Sequence, residues 1–186
     1  MESSFDFGDG KGMVPAHRHQ NLDGNLGGWV ANTATVAWSA FLGSEAVVFD
    51  SAWVGKGTTV IGKAKIYGNA QILGERVVDG ITIRDRVKIK EQAQVFGSAV
   101  ICDNAVIRGH AQVSGQATVR GCAVVSGKSQ IKGNAVIGDH ARISGNTIVY
   151  GEMWVVGHSV LSGGAHGGSI ATKAIDDMLA IDNRIG

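Results

Sequence analysis

A six-residue repeat constrains this chain more than any other feature of its sequence. Counting in sixes from Val36 to Val78, and again from Ile83 to Leu161 after a slip of one residue, gives 22 positions, all Val, Ile or Leu. The residue two places earlier is Ala, Ser or Thr in 18 of those 22 hexads. A period of six fits neither a heptad nor a helical face. It predicts short strands that each point one aliphatic and one small side chain inward.

The corners between these strands are also visible in the sequence. Gly or Asp often stands two residues after the aliphatic position, followed by Asn or His, as in Gly68-Asn69 and Asp103-Asn104. These residues tolerate positive φ, which a tight corner requires. Three hexads then make one triangular coil of about 18 residues, and successive coils pair as parallel strands about 4.8 Å apart. The repeat predicts an all-β triangular solenoid of about seven coils.

The predicted organisation has three parts: residues 1–29 form an N-terminal tail and cap, residues 30–163 the repeat, and residues 164–186 a C-terminal cap. We expect a loosely structured start and then a capping segment from about Val14 to Trp29. At the other end, Ser169 is a candidate N-cap for a short helix that runs from Ile170 to about Asp182. The slip near residues 73–81 removes one residue from the frame, so it predicts a tightened corner and no extruded loop longer than about four residues.

Charge and composition exclude several classes of partner. Lys plus Arg (17) nearly balance Asp plus Glu (16), so the net charge of +1 gives no strong case for nucleic acid or an anionic membrane. Cys102 and Cys122 are too few for a disulfide framework. No apolar run approaches the length of a membrane span. We expect a soluble protein, cytoplasmic or virus-associated, without nucleic-acid or membrane partners.

Residues 33–163, about 70% of the chain, resemble the bacterial transferase hexapeptide-repeat family. The segment Leu26-Gly27-Gly28-Trp29-Val30 and the later hexads also resemble bacterial and prophage-type members of that group. The resemblance implies a left-handed parallel β-helix and a homotrimer of parallel prisms. It is specific for the fold and says little about chemistry.

Residues 18 apart are expected to share one outward column. One column is the polar ladder of Gln94, Gln112 and Gln130, which we interpret as structural. Two neighbouring faces carry apolar columns, and outward apolar side chains on a soluble protein predict association. Their members are Val100, Val136 and Trp154 on one face, and Val106, Val124 and Val160 on the next.

The column of Cys122, His140 and His158, at the corner between those apolar faces, is the best candidate site. A thiolate and two imidazoles are zinc-type ligands, and a trimer would bring symmetry copies of this edge together. His140 or His158 is also a candidate catalytic general base. The alternative interpretation is that His simply replaces Asn at a solvent-facing corner. His17 and His19, alternate residues of an extended segment, give a second, weaker metal hypothesis beside that of a solvated polar strand.

Three hypotheses about function follow. The first is a non-catalytic β-solenoid scaffold or interaction protein, phage- or mobile-element-related, with a protein partner. The second, drawn from the resemblance, is an acyltransferase that uses acyl-coenzyme A, with His140 or His158 as base and Lys88, Lys90 and Arg108 near the phosphates. The third is a metal-dependent hydratase of the carbonic anhydrase kind. The sequence alone leaves open whether the protein is an enzyme.

Overall fold

Stacked parallel coils form the body of the protein. The structure is a computed structural model that describes residues 3–74 and 80–168, and it confirms an all-β solenoid of about eight coils. Three sheets form the three faces, and each coil contributes one strand to each sheet in turn. The count exceeds the predicted seven because the strands Leu26–Ala31 and Ala165–Gly168 extend the stack at its two ends.

The strands are labelled β1 to β25 in chain order. The ten-stranded sheet contains β1 (Ser4–Asp6), β2 (Met13–Gln20), β3 (Leu26–Ala31), β6 (Val47–Val48), β9 (Lys65–Ile66), β12 (Lys88–Ile89), β15 (Val106–Ile107), β18 (Val124–Val125), β21 (Arg142–Ser144) and β24 (Val160–Ser162). The eight-stranded sheet contains β4 (Thr35–Val36), β7 (Trp53–Val54), β10 (Gln71–Leu73), β13 (Gln94–Phe96), β16 (Gln112–Val113), β19 (Gln130–Ile131), β22 (Ile148–Gly151) and β25 (Ala165–Gly168). The seven-stranded sheet contains β5 (Phe41–Leu42), β8 (Thr59–Val60), β11 (Thr82–Ile83), β14 (Val100–Ile101), β17 (Thr118–Val119), β20 (Val136–Ile137) and β23 (Trp154–Val155).

The interior is built as the hexad predicts. Of the 21 repeat positions within the described residues, 20 are buried and Val36 is partly buried. The small residues two places earlier are also buried, mostly as Ala, because both side chains must fit inside one narrow coil. One continuous aliphatic core therefore runs along the prism.

The frame slip lengthens a coil, so the prediction of a shortened corner is wrong. Thr59 pairs with Thr82, Lys65 with Lys88 and Gln71 with Gln94, a separation of 23 residues in each pair, whereas the coils on either side have 18. This coil thus carries five additional residues between β10 and β11. The prediction of no extruded loop longer than about four residues concerns this segment, of which residues 75–79 lie outside the described residues. Val78, counted in the repeat, falls in residues 75–79, outside the described residues.

Acidic residues occupy several left-handed corner positions. Within residues 3–74 and 80–168, the non-glycine residues with positive φ are all acids, and φ lies between 55° and 69°. Each of their carboxylates accepts a hydrogen bond from the backbone N–H of the residue 18 places later, at 2.8–3.3 Å. The residues are Asp50, Asp85, Glu91, Asp103 and Asp139. The hydrogen bond to the next coil accompanies a conformation that normally favours glycine.

The N-terminal residues are more ordered than the sequence suggests. β1 and β2 form an antiparallel hairpin, and β2 also pairs antiparallel with β3. Residues 3–12, here called the arm, begin with the edge strand β1 and fold back over the outward side of the early coils of the same sheet. There Phe5 stacks on Trp29 at 4.8 Å and Phe7 on Phe49 at 4.9 Å. Lys11 Nζ donates to Asp50 Oδ1 at 2.6 Å. The expected loosely structured start is therefore wrong for β1, because aromatic stacking holds it.

Two other expectations concern the two ends of the chain. His19 is buried, with Nε2 hydrogen-bonded to the Ala40 carbonyl at 3.0 Å, whereas His17 is exposed and its Nδ1 lies 3.1 Å from Asn32 Oδ1. The two imidazoles thus serve different structural contacts. The predicted helix from Ser169 lies outside the described residues.

Residues 3–74 and 80–168 contain no helix long and apolar enough to cross a membrane.

Candidate functional site

The predicted column of Cys122, His140 and His158 is formed. These residues occupy successive coils at the corner where the seven-stranded sheet leads into the ten-stranded sheet, here called the histidine corner. The Cys122 N–H donates to the Asp139 carbonyl at 2.6 Å, and the His140 N–H donates to the Gly157 carbonyl at 2.9 Å. The His140 and His158 rings stack, with centroids 5.0 Å apart and planes 13° from parallel. The 18-residue spacing therefore predicts this juxtaposition correctly.

The geometry of the histidine corner does not build a metal site within one chain. Stacked parallel imidazoles direct their nitrogens side by side, which differs from the convergent arrangement of a tetrahedral zinc site. Across the described ranges, no group of three or more His, Cys, Asp or Glu residues is placed to hold a metal ion. The neighbouring Asp139 carboxylate accepts the Gly157 N–H at 2.9 Å. A metal on Cys122, His140 and His158 stays a prediction that requires groups from a second copy.

The same corner offers two exposed imidazoles for proton transfer. His140 and His158 are both solvent-accessible, and a neutral imidazole can accept a proton from a substrate hydroxyl or amine. In the described part of the chain, their side chains form no hydrogen bond with a carboxylate or a carbonyl that would fix one tautomer. The stack therefore orients the rings without selecting which nitrogen carries the proton.

The basic residues proposed for coenzyme A phosphates lie away from the histidine corner. Lys88 is on the ten-stranded sheet, three coils before His140 in the stack, a distance of about 14 Å along the axis. Lys90 lies beyond that strand, toward the opposite edge of the sheet, and is 3.5 Å from Glu91 Oε1. Arg108 is the matching residue one coil later. The structure does not bring these cations together with either histidine.

The two cysteines differ in accessibility. Cys102 is buried, and burial raises the pKa of its thiol, with the nearby Asp103 charge acting in the same direction. Cys122 is exposed at the histidine corner, and neither cysteine forms a disulfide within the described chain. Cys122 is therefore the accessible thiol of the two.

Outward columns on two faces carry apolar side chains, as the sequence predicts. On the seven-stranded sheet, register pairing aligns one uncharged residue from each coil: Phe41, Thr59, Thr82, Val100, Thr118, Val136 and Trp154. Phe41 is 40% exposed and Trp154 43%. On the ten-stranded sheet, Val106, Val124 and Val160 share a column that Arg142 interrupts. These two faces meet at the histidine corner.

Two concave regions were not predicted. The first, of about 500 Å³, lies between the arm and the first coils, with Phe7 and Phe49 as apolar walls and Lys11 and Asp50 on its lining. The second, of about 310 Å³, lies beside the glutamine ladder. The ladder also includes Gln71, which the count in sixes missed because it placed residue 77 in that column. The available signal was that Gln71 directly precedes an inward aliphatic residue, Ile72, just as Gln94 precedes Val95.

Comparisons with known proteins leave the family resemblance resting on the hexad repeat. No protein-family model matches the chain, and no curated protein matches it. Eight chains of solved structure match. One, a Bacillus cereus protein described as a "putative acetyltransferase", is 16% identical over 80% of this chain and 83% of its own length, with a TM-score of 0.33. A likeness this weak carries no argument about activity.

Proposed function

We propose that this protein is a non-catalytic β-solenoid scaffold that docks a second copy of itself through the seven-stranded sheet. The observation that supports this proposal is the uncharged outward column from Phe41 to Trp154, which runs along every coil of that sheet. It has aromatic residues at its two ends and only Thr or Val between them. Burial of large aromatic side chains supplies much of the energy of protein interfaces.

The backbone makes this column a preorganised surface. The inner strands of the sheet are hydrogen-bonded to the coils on both sides, and the edge strands β5 and β23 to one neighbour each, so the outward side chains have fixed spacing of about 4.8 Å. Thr and Val are stiff at χ1, so little rotamer freedom is lost when they are covered. A rigid row loses less entropy on association than flexible loops with the same apolar content.

The neighbouring ten-stranded sheet favours assembly around a shared edge. Val106, Val124 and Val160 extend the apolar surface from the seven-stranded sheet across the histidine corner. Val160 is 58% exposed. Three parallel prisms that use both faces would bring their histidine corners close together, which is the homotrimer that the resemblance implies.

The decisive experiment compares two tryptophans of similar exposure on different sheets. Trp154→Glu places a charge in the proposed interface, whereas Trp53→Glu places one on the eight-stranded sheet, where the wild-type residue is 40% exposed. We expect light scattering to show an oligomer for the wild type and Trp53→Glu, and a smaller species for Trp154→Glu. Circular dichroism should show that both variants keep the β structure. A monomeric wild type would overturn the proposal.

An acyltransferase that uses acyl-coenzyme A is the second candidate, supported by the exposed imidazole stack of His140 and His158. In that case one imidazole takes the proton of the acceptor hydroxyl or amine as the acceptor oxygen or nitrogen attacks the thioester carbonyl. The C–S bond then breaks, and the coenzyme A thiolate leaves and takes up that proton. His140→Asn should then abolish acetyl-coenzyme A turnover while leaving assembly intact. Absence of turnover in the wild-type oligomer would count against this candidate.

Zinc titration of the same oligomer tests the metal hypothesis for Cys122, His140 and His158. Zinc affinity should be present in the oligomer, absent in the Trp154→Glu species and lost at low pH, because protonated imidazoles cannot bind a metal. Binding that persists in the dissociated variant would contradict a site completed by neighbouring copies. The carbonic-anhydrase-like hydratase requires this site, so absence of zinc binding would also exclude that hypothesis.

A further inference from the structure

A polar cleft on the eight-stranded sheet has no role in the proposed scaffold function. It has a volume of about 310 Å³, and its lining comprises five amide side chains and one imidazole. Gln71, Gln94 and Gln112 come from consecutive strands of the sheet, and the other three come from the adjoining corner of the same coils. The six residues, here called the amide cleft, are Asn69, Gln71, Gln92, Gln94, His110 and Gln112.

Three glutamines of the amide cleft are linked to one another by side-chain hydrogen bonds. Gln94 Nε2 donates to Gln71 Oε1 at 3.2 Å, and Gln112 Nε2 donates to Gln94 Oε1 at 3.1 Å. A primary amide has two N–H donors and an oxygen with two lone pairs, so each rung keeps hydrogen-bonding capacity beyond the ladder. The ladder therefore fixes the side chains and still presents donors and acceptors to a ligand.

The chemistry of the lining selects an uncharged ligand rich in hydroxyl groups. None of the six residues carries a carboxylate, an ammonium or a guanidinium group. A charged ligand would lose hydration there without meeting an opposite charge. A hydroxyl group both donates and accepts, which matches amides that offer both functions side by side. Phosphate, nucleic acid and acidic peptides are disfavoured on the same grounds.

An aromatic platform continues the same column. Trp53 is the register partner of Gln71 on the preceding coil, and its side chain is 40% exposed on this polar face. An indole combines a broad apolar surface with one N–H donor, and it suits a ring that has a C–H face and a hydroxylated edge. The row from Trp53 through Gln71 and Gln94 to Gln112 spans about 14 Å along the axis, which favours a chain of several units over a single small molecule.

From this lining and its neighbouring tryptophan we infer that the amide cleft binds a linear, neutral glycan along the axis of the solenoid. The eight-stranded sheet is distinct from the two faces used in the proposed self-association, so the inference does not depend on the proposed function. An assembly through those faces would leave the cleft accessible on each copy.

Calorimetric titration of the full chain with neutral glucose and N-acetylglucosamine hexaoses, both β-1,4-linked, and with maltohexaose tests this inference. We expect at least one to bind, to quench tryptophan fluorescence and to retain its affinity at high salt. Gln94→Ala and Trp53→Ala should each weaken binding about tenfold, as expected when a hydrogen-bonding or stacking group is lost. Asn69→Ala alters an exposed corner residue outside the ladder and should also weaken binding, which guards against a folding defect in Gln94→Ala.

Matched controls come from the same molecule. Gln130→Ala removes a glutamine from the same column outside the cleft, and Trp38→Ala removes an exposed tryptophan from the corner between β4 and β5. Both should change the affinity less than about twofold. Failure of all three hexaoses to bind at millimolar concentration would overturn the inference. So would equal losses in Gln94→Ala and Gln130→Ala. Either result can be distinguished from failure of self-association, which is measured by light scattering without glycan.

Discussion

The outer surface of the ten-stranded sheet has two halves that differ sharply. In the early coils, the arm covers the apolar residues: Phe5 stacks on Trp29, Phe7 stacks on Phe49, and Val47 is buried. In the later coils, Val106 and Val124 occupy the same sheet and have no such cover in the described chain. The same interior repeat thus supports one half whose outward apolar side chains are covered by the chain itself and one half whose outward apolar side chains are available to another molecule.

This difference shows what the hexad controls. The inward positions are aliphatic in both halves, because every coil must fill the same narrow interior. The outward positions are free of that requirement and can change from coil to coil. Function on this scaffold is therefore specified by outward columns and by additions such as the arm, which a repeat count alone does not reveal.

The largest effect should come from the interior, and it should be the same in both halves. Ile66→Ala and Ile107→Ala remove fully buried side chains from the same column of the ten-stranded sheet. Each should lower the free energy of unfolding by about 2–5 kcal/mol, measured by urea denaturation. A much larger loss for Ile66→Ala than for Ile107→Ala would mean that the arm also supports the interior.

Removing an aromatic contact of the arm should have the next largest effect. Phe7 is buried between Phe5 and Phe49, so Phe7→Ala should weaken docking of the arm by about 3 kcal/mol. Hydrogen exchange of β1 and β2 should then increase, while exchange in the later coils stays unchanged. Val124→Ala, in the later coils that the arm does not cover, is the control and should leave hydrogen exchange of the arm as in the wild type. A global loss of protection would contradict independent docking.

Substitution at left-handed corners should cost less. In Asp103→Ala, the alanine must adopt a φ near 62°, which is unfavourable for a residue other than glycine, and the hydrogen bond from the Gly121 N–H is lost. We therefore expect the free energy of unfolding to fall by about 1–2 kcal/mol. Asp103→Gly should recover part of it. Asp50→Ala should also release the arm, because Asp50 accepts from Lys11 as well as from Gly68. Equal rates of hydrogen exchange of the arm in Asp50→Ala and Asp103→Ala would argue against a role of Asp50 in holding the arm.

A charge introduced in the later coils of the ten-stranded sheet, which the arm does not cover, should change stability least. Val124→Lys introduces a cation on a partly exposed strand, so the free energy of unfolding should move by about 0.5 kcal/mol or less. Its effect should appear in light scattering as a reduced assembly size. Val47→Lys, the equivalent change under the arm, should instead detach the arm. An oligomer unaffected by Val124→Lys would exclude this half from the interface.

Docking of the arm should also weaken in strong alkali. The hydrogen bond with Asp50 raises the pKa of Lys11 above its ordinary value of 10.5. A raised folded-state pKa means that the stabilising contribution is complete below the unfolded pKa and is lost as the pH rises through the folded value. Hydrogen exchange of the arm, corrected for the intrinsic rate, should therefore increase above that range. Lys11→Gln should remove this pH dependence.

The periodic parts of the molecule were predictable, and the interruptions were not. The hexad gave the interior and the stacking of His140 on His158, because both depend only on an 18-residue period. Across the slip, arithmetic cannot distinguish one residue removed from five added, and this hid Gln71 and the amide cleft. The arm was missed because contacts such as Phe7 with Phe49 join segments that share no repeat. Side-chain partners around the histidines follow from tertiary structure, which the period does not specify.

The acidic corners give the solenoid a direction. At each one, the carboxylate belongs to the coil that leaves the ribosome first, and the N–H that it accepts belongs to the coil that follows. Asp85, Asp103 and Gly121 form two such steps in succession along one edge. At these five corners, each coil therefore holds an acceptor in a fixed position for the segment that follows it along the chain, so the hydrogen bonds all run from the later coil to the earlier one.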